Sequence, residues 1–320
     1  MANSTNAVLV EDSGNDELAE LLIGLSDDPK QVSPKYFYDE RGSQLFDSIC
    51  EQPEYYPTRT ELSIMRANIG EITSHIGEDA MLVEYGSGSS LKTRLLLEKL
   101  RRPVAYVPVD ISGEYLAIVA SSLETDYPAI EVLPLCADFT RPLDLPEPTR
   151  QAARHIVYFP GSTIGNFSRD EAVELLQQMR DEAGEGGGLL IGVDLVKPRD
   201  MLERAYNDAA GVTAQFNLNL LRRLNREFGS DFNIGAFRHR AVYDDIEQRI
   251  EMRLVSLNRQ TVHMDGAAIR LEPGEYIVTE HSHKYSTKSF AALAAQAGFR
   301  VEAVWTDPAE LFSVQYLAAA

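Results

Sequence analysis

Glu84-Tyr85-Gly86-Ser87-Gly88-Ser89 stands where an apolar run, Met81–Tyr85, gives way to a helical pattern starting at Leu91. Glycines at a strand-to-helix turn let the backbone approach a ligand closely. A dinucleotide fingerprint needs a third glycine at position 91, where this chain has leucine. An acid just before a short Gly-x-Gly suits S-adenosylmethionine better, because that ligand has no pyrophosphate to cradle. A plain structural turn is an equal reading of these residues alone. Asp110 ends the next strand about 20 residues on, where a carboxylate can accept from both ribose hydroxyls. Asp138-Phe139 ends the third, where the acid can bond an adenine amino group and the ring can cover the base. A helix-starting acid, and a loop acid beside a core phenylalanine, are the plainer alternatives. Together the three strand ends describe one crevice at the carboxyl edge of a parallel sheet.

Positioning those residues takes alternating strands and helices. The apolar runs Met81–Tyr85, Ala105–Val109, Ile130–Ala137, His155–Phe159 and Gly188–Val196 predict strands. Helices are predicted over Leu91–Arg101, Glu114–Glu124 and Ser168–Ala183, the last opening with the capping box Ser168-Arg169-Asp170-Glu171. This alternation means a parallel sheet covered on both faces. Beyond about residue 210 the pattern changes. Val212–Phe228 is helical, with Phe216, Leu220, Leu224 and Phe228 at four-residue steps. Gln248–Ser256 and the run from Glu275 to Ser282 read as antiparallel strands joined by a turn at Met264-Asp265-Gly266. Lys288–Ala297 then returns as helix, and Val301–Thr306 and Phe312–Leu317 as paired strands. The first 60 residues read as helix and loop.

Composition bounds the rest. The 320 residues carry a net charge of -19, with 44% hydrophobic and 25% charged residues. That is globular material of one large domain or two intimate ones. The charge argues against a nucleic-acid or anionic-membrane partner, which needs a basic surface. No run approaches the length of a membrane helix, and no secretory leader is visible at the N-terminus, so the expectation is a cytoplasmic protein. Cys50 and Cys136 lie far apart and in no metal-like spacing. His281-Ser282-His283 puts two imidazoles on one strand face, but no third ligand stands nearby at a recognisable spacing, and no metal is expected.

Longer motifs point to one family. They are Lys35-Tyr36-Phe37-Tyr38-Asp39, the run Pro53–Glu61 (PEYYPTRTE), Glu84–Thr93 (EYGSGSSLKT), Gly161-Ser162-Thr163-Ile164-Gly165-Asn166, Tyr206–Thr213 (YNDAAGVT) and Arg249-Ile250-Glu251-Met252. From about Pro34 onward the chain resembles the ergothioneine-pathway L-histidine Nα-methyltransferases, which are related to fungal tryptophan-type N-methyltransferases. The resemblance implies a class I S-adenosylmethionine-dependent methyltransferase sheet, Rossmann-like, over 61–200 and 286–320. It implies a second, α+β substrate-binding domain from 1–60 and 201–285, with the substrate held between the two.

It implies that Gly86, Lys92, Asp110, Asp138 and Phe139 contact S-adenosylmethionine. Tyr55, Gly161, Asn166 and Tyr206 would hold the backbone end of the amino acid, Asn166 and Tyr206 at its α-carboxylate. Tyr38 and Tyr55 would line the amine, with Tyr38 orienting its lone pair. Glu280 and Ser282 would hydrogen-bond the imidazole and Met252 would pack against it. The partner implied is a small amino acid, L-histidine, trimethylated on its α-nitrogen by a monomeric enzyme. Singly, each residue has a plainer reading: surface tyrosines, a helix-surface lysine, core methionine, a turn asparagine, a solvated strand face at Glu280. The alternatives are a tryptophan-type substrate, a nicotinamide oxidoreductase on a similar sheet, or a non-catalytic S-adenosylmethionine-binding protein.

Overall fold

The computed structural model describes residues 14–88 and 91–319. Ser89 of the glycine turn and the N-terminal stretch read for a leader lie outside the described residues. Among these residues the chain divides into two compact units, 57–196 with 284–319 and 14–56 with 197–283.

The first unit is built on an eight-stranded sheet. In spatial order its path runs Phe299–Thr306, Phe312–Ala319, Gly188–Asp194, Arg154–Phe159, Ala80–Tyr85, Ala105–Asp110 and Glu131–Val132. Leu135–Cys136 pairs with Ala105–Asp110 beyond that path. All pairs are parallel except those of Phe312–Ala319, which runs antiparallel to both its neighbours. This is the expected class I, Rossmann-like methyltransferase sheet.

The strands at its centre are buried along their whole length, and mostly apolar, because both faces are covered. Val83, Val107, Val157 and Ile191 pack on one side with the helices Arg169–Ala183 and Thr287–Gln296. Leu82, Tyr106, Ile156 and Leu190 pack on the other with Tyr56–Ile76, Leu91–Leu97 and Gly113–Asp126. The chain order reverses between Ala80–Tyr85 and Arg154–Phe159, and such a switch point opens a crevice at the carboxyl ends.

The second unit is α+β. A four-stranded sheet runs Lys30–Gln31, Tyr276–His283, Arg249–Ser256, Phe237–Asp244. The helices of this unit include Glu40–Cys50 and Val212–Glu227.

Several expected boundaries move. The predicted third strand, Ile130–Ala137, is two pieces, Glu131–Val132 and Leu135–Cys136, because Pro134 between them has no N–H to give a ladder. The helix expected to reach Arg101 ends at Leu97. A tighter turn then carries the chain to Leu100, and Arg101 is drawn into a bridge with Glu78. The turn at Asp265-Gly266 does not join the two long strands. It closes a hairpin of its own, Gln260–Met264 with Ala267–Leu271, while Arg249–Ser256 and Tyr276–His283 pair directly. Both turn residues have positive φ, 45° and 78°, as a two-residue hairpin requires. The capping box at Ser168 forms as expected: its hydroxyl accepts from Glu171 N–H, and the Glu171 carboxylate accepts from Ser168 N–H.

Candidate active site

In the first unit the residues expected at a nucleoside gather at the carboxyl ends of the strands. Gly86 takes φ +69° and donates its N–H to the Val109 carbonyl at 2.8 Å. That conformation favours glycine and lays the turn along the end of the next strand. Asp110 accepts from Gly88 N–H at 3.3 Å and from Ser112 N–H at 3.0 Å. Burial pushes its carboxyl above the usual range, against those backbone donors. Phe139 stacks on Tyr85 (5.3 Å between centroids, 30°) and meets Phe159 edge-on. Its carbonyl accepts from Gln178 Nε2, which also accounts for the position of the loop. Asp138 closes a turn of its own, accepting from Thr140 N–H at 3.0 Å and Thr140 hydroxyl at 2.6 Å.

Lys92 does not lie loose on a helix surface. Its ammonium contacts the Glu61 carboxylate at 2.5 Å, and Glu61, fully buried, also accepts from Gly161 N–H at 3.1 Å. A Cβ at Gly161 would stand 3.5 Å from the Lys92 ammonium. Lys92 and Gly161 are therefore neighbours, linked by a carboxylate to which sequence reasoning gave no role. Asn166 ends the short 3-10 turn Thr163–Asn166 that follows.

Glu84, beneath the glycine turn, is buried and accepts from the Thr93 and Tyr106 hydroxyls. Burial raises its carboxyl to about 7, more than those donors and Lys92 lower it. Its folded value thus lies above the unfolded one, so the unfolded chain loses this proton first as pH rises. Stability from this group is full below about pH 4.5 and falls through pH 7, by on the order of 3 kcal/mol. Urea unfolding of wild type and Glu84→Gln across pH 4.5–7.5 is expected to show wild type losing stability relative to the variant as pH rises. Parallel curves would contradict that proton assignment.

In the second unit the other predicted residues gather. Tyr38, Phe46, Tyr55 and Phe216 form a ring cluster, with Tyr38–Phe46 at 5.9 Å, Phe46–Tyr55 at 6.3 Å and Tyr38–Phe216 at 5.9 Å. Tyr55 meets Tyr206 at 6.2 Å, and the Tyr206 hydroxyl lies 2.8 Å from Ser282 Oγ. Met252 is buried and stands directly opposite Glu280 on the adjacent strand. Burial, then the nearby Tyr206, Cys50, Glu280 and Tyr38, raise the Tyr55 phenol well above its ordinary value. It stays protonated at neutral pH.

Local chemistry sets these positions. Asp39 caps Glu40–Cys50, accepting from Gly42 N–H at 2.7 Å, and is bound by Asn219 and Arg226. This fixes Tyr38 beside it and Phe46 about two turns along the helix. A Cβ at Gly42 would fall 1.7 Å from the Phe37 carbonyl oxygen, so only glycine fits there. In the 206–213 motif Tyr206 meets the cluster through Tyr55. Asn207 brackets the Ala241 backbone, and Asp208 accepts from Val212 and Thr213 N–H groups at the start of a helix. Glu251 of the RIEM motif clamps Arg249 and Arg253 and is structural.

A family model described as histidine-specific methyltransferase, SAM-dependent, matches residues 17–319. The chain belongs to this family. It is 42% identical to the histidine N-alpha-methyltransferase of Mycolicibacterium smegmatis, over 96% of each chain. It is 39% identical to the protein of that name from Mycobacterium tuberculosis, over 97% of each. Among solved structures it is similar to the CcbJ methyltransferase from Streptomyces caelestis, at 14% identity and TM-score 0.47, covering 80% of this chain and 90% of that one.

In these two clusters sequence reasoning gave no role to Glu61, Phe46 or Phe216. Glu61 closes the PEYYPTRTE motif, so its place in a motif was a signal, but its partners are remote in sequence. Phe216 was legible as the apolar face of a helix, not as part of a ring cluster. His281 and His283 do share a face, with rings 6.2 Å apart. Among the described residues no group of three metal-ligating side chains is placed to hold an ion. Nor, among them, is any helix long and apolar enough to cross a membrane.

Proposed function

We propose that this chain trimethylates the α-amino group of L-histidine with S-adenosylmethionine, giving hercynine, the first step of ergothioneine biosynthesis. What supports the substrate is one arrangement: Glu280 and Ser282 on the strand face that carries Met252, beside the hydroxyl of Tyr206. A carboxylate accepts one imidazole N–H and a hydroxyl reaches the other nitrogen, while the thioether packs on the ring. The substrate roles of Tyr55, Gly161, Asn166 and Tyr206 are part of this proposal, as is substrate binding by the second unit.

The residues at the sheet's carboxyl edge fit the cofactor. Asp110 offers a buried carboxylate to a diol, Phe139 a ring to a base, and the Gly86 turn a close backbone approach, with Lys92 and Asp138 completing the set. Bound there, S-adenosylmethionine supplies an electrophilic methyl on its sulfonium. The chain's own task is to hold a neutral amine in line at near-attack distance. Tyr38 orients the lone pair. Tyr55, held protonated, donates a hydrogen bond and does not act as a base. The amine loses a proton to solvent before each of the three transfers. The ring cluster of Tyr38, Phe46, Tyr55 and Phe216 favours the methylated ammonium as its charge becomes permanent. Cys50 and Cys136 form no disulfide, which suits the cytoplasm, where we place the enzyme as a monomer.

The test is mass spectrometry of purified protein and S-adenosylmethionine offered L-histidine, L-tryptophan and other amino acids in parallel. A product with three added methyls from histidine alone is expected. Turnover of tryptophan in its place would overturn the roles of Glu280 and Ser282.

A further inference from the structure

The strand Tyr276–His283 is irregular at one point. Val278 stands opposite Arg253 and Glu280 opposite Met252, so Thr279 is an extra residue, a β-bulge. The bulge decides which side chains reach the substrate. Side chains alternate faces along a strand, and a one-residue slip exchanges the faces. Beyond the bulge, Glu280 and Ser282 stand opposite Met252 and Ile250, on the face that also carries Ala241 and Tyr243. In an unbroken strand that face would carry His281 and His283, and both acceptors would point to the other side.

The bulge is held from the helix Val212–Glu227 by a buried hydrogen-bonded line. The Thr279 hydroxyl proton is shared between Asn217 Oδ1 at 2.7 Å and the Met252 carbonyl at 3.2 Å. Both Thr279 and Asn217 are fully buried. The Asn217 amide lies 2.9 Å from His239 Nδ1, and His239 Nε2 lies 2.8 Å from the Tyr206 carbonyl oxygen. A carbonyl only accepts, so Nε2 carries the proton and Nδ1 accepts from Asn217. Burial lowers the pKa of His239, in keeping with a neutral ring. One end of the line thus fixes the backbone from which Glu280 projects. The other fixes the backbone of Tyr206, whose phenol meets Ser282.

We infer that Thr279, Asn217 and His239 are positioning residues that set histidine specificity, by holding the bulge that presents Glu280 and Ser282 to the imidazole. This rests on the imidazole-reading role proposed above. Thr279→Val keeps the shape and removes the hydroxyl. It is expected to raise KM for histidine about tenfold, with kcat and S-adenosylhomocysteine affinity within about twofold of wild type. Thr279→Ser restores the wild-type KM. Because the threonine acts through Glu280, the shift falls below about twofold when Thr279→Val is made in a Glu280→Gln background. Should Thr279→Val not fold, Thr279→Cys, of similar volume with a weak donor, takes its place in the same cycle. An unchanged KM in the single variant, or an equal shift in both backgrounds, overturns the inference. Absence of histidine turnover by the wild-type chain instead overturns the reading on which it rests.

Discussion

Glu280→Ala is expected to lower kcat/KM for histidine about a hundredfold, through the carboxylate bond lost to the imidazole and the donor left unpaired. S-adenosylhomocysteine binding is expected to stay within about twofold, since none of the residues proposed for the cofactor is drawn from that strand. The physical reason lies in the partners already on that face. Met252 supplies an apolar wall, and Ser282 is engaged with the Tyr206 hydroxyl. In the proposed site, removing the carboxylate is expected to leave room for a ring but no acceptor for its N–H. Discrimination against tryptophan should shrink with it. Glu280→Gln separates charge from hydrogen bonding: an amide oxygen still accepts, so it is expected to fall between wild type and alanine. Parallel kinetics with histidine and tryptophan read all three, and wild-type turnover of histidine by Glu280→Ala would end the assignment.

Asp110→Asn is expected to weaken S-adenosylhomocysteine binding about a hundredfold, measured by calorimetry, because two charge-assisted bonds to a ribose diol are lost or weakened. The substitution is nearly isosteric, yet one oxygen becomes a donor. Asp110 uses its two oxygens separately, one on Gly88 N–H and one on Ser112 N–H. An amide nitrogen placed at either position sets donor against donor. The loss should therefore appear in cofactor affinity while the strand itself, paired along its length with Ala80–Tyr85, stays in place. An affinity equal to wild type would remove Asp110 from the cofactor set.

What the sequence determined about this protein was local or repeated. Whole apolar runs between helical patterns gave the parallel sheet, since central strands covered on both faces have no polar side to show. Gly86, Asp110 and Phe139 were legible because each follows the end of such a run, and the ends of parallel strands lie at one edge. The capping box at Ser168 and the return of the sheet at Phe299–Ala319 are of the same kind.

Tertiary structure alone decided the rest. The Lys92–Glu61–Gly161 link joins residues from three remote stretches, and nothing near Lys92 in sequence names its partner. Phe46 and Phe216 become a ring cluster with Tyr38 and Tyr55 only when two helices pack. Glu280 and Ser282 alternate in the sequence, which puts them on one face but does not say which. An extra residue at Thr279, held by Asn217 from another element, makes that choice. Period and turn chemistry are written along the chain, whereas the direction a strand face points depends on its register with neighbours far away in sequence.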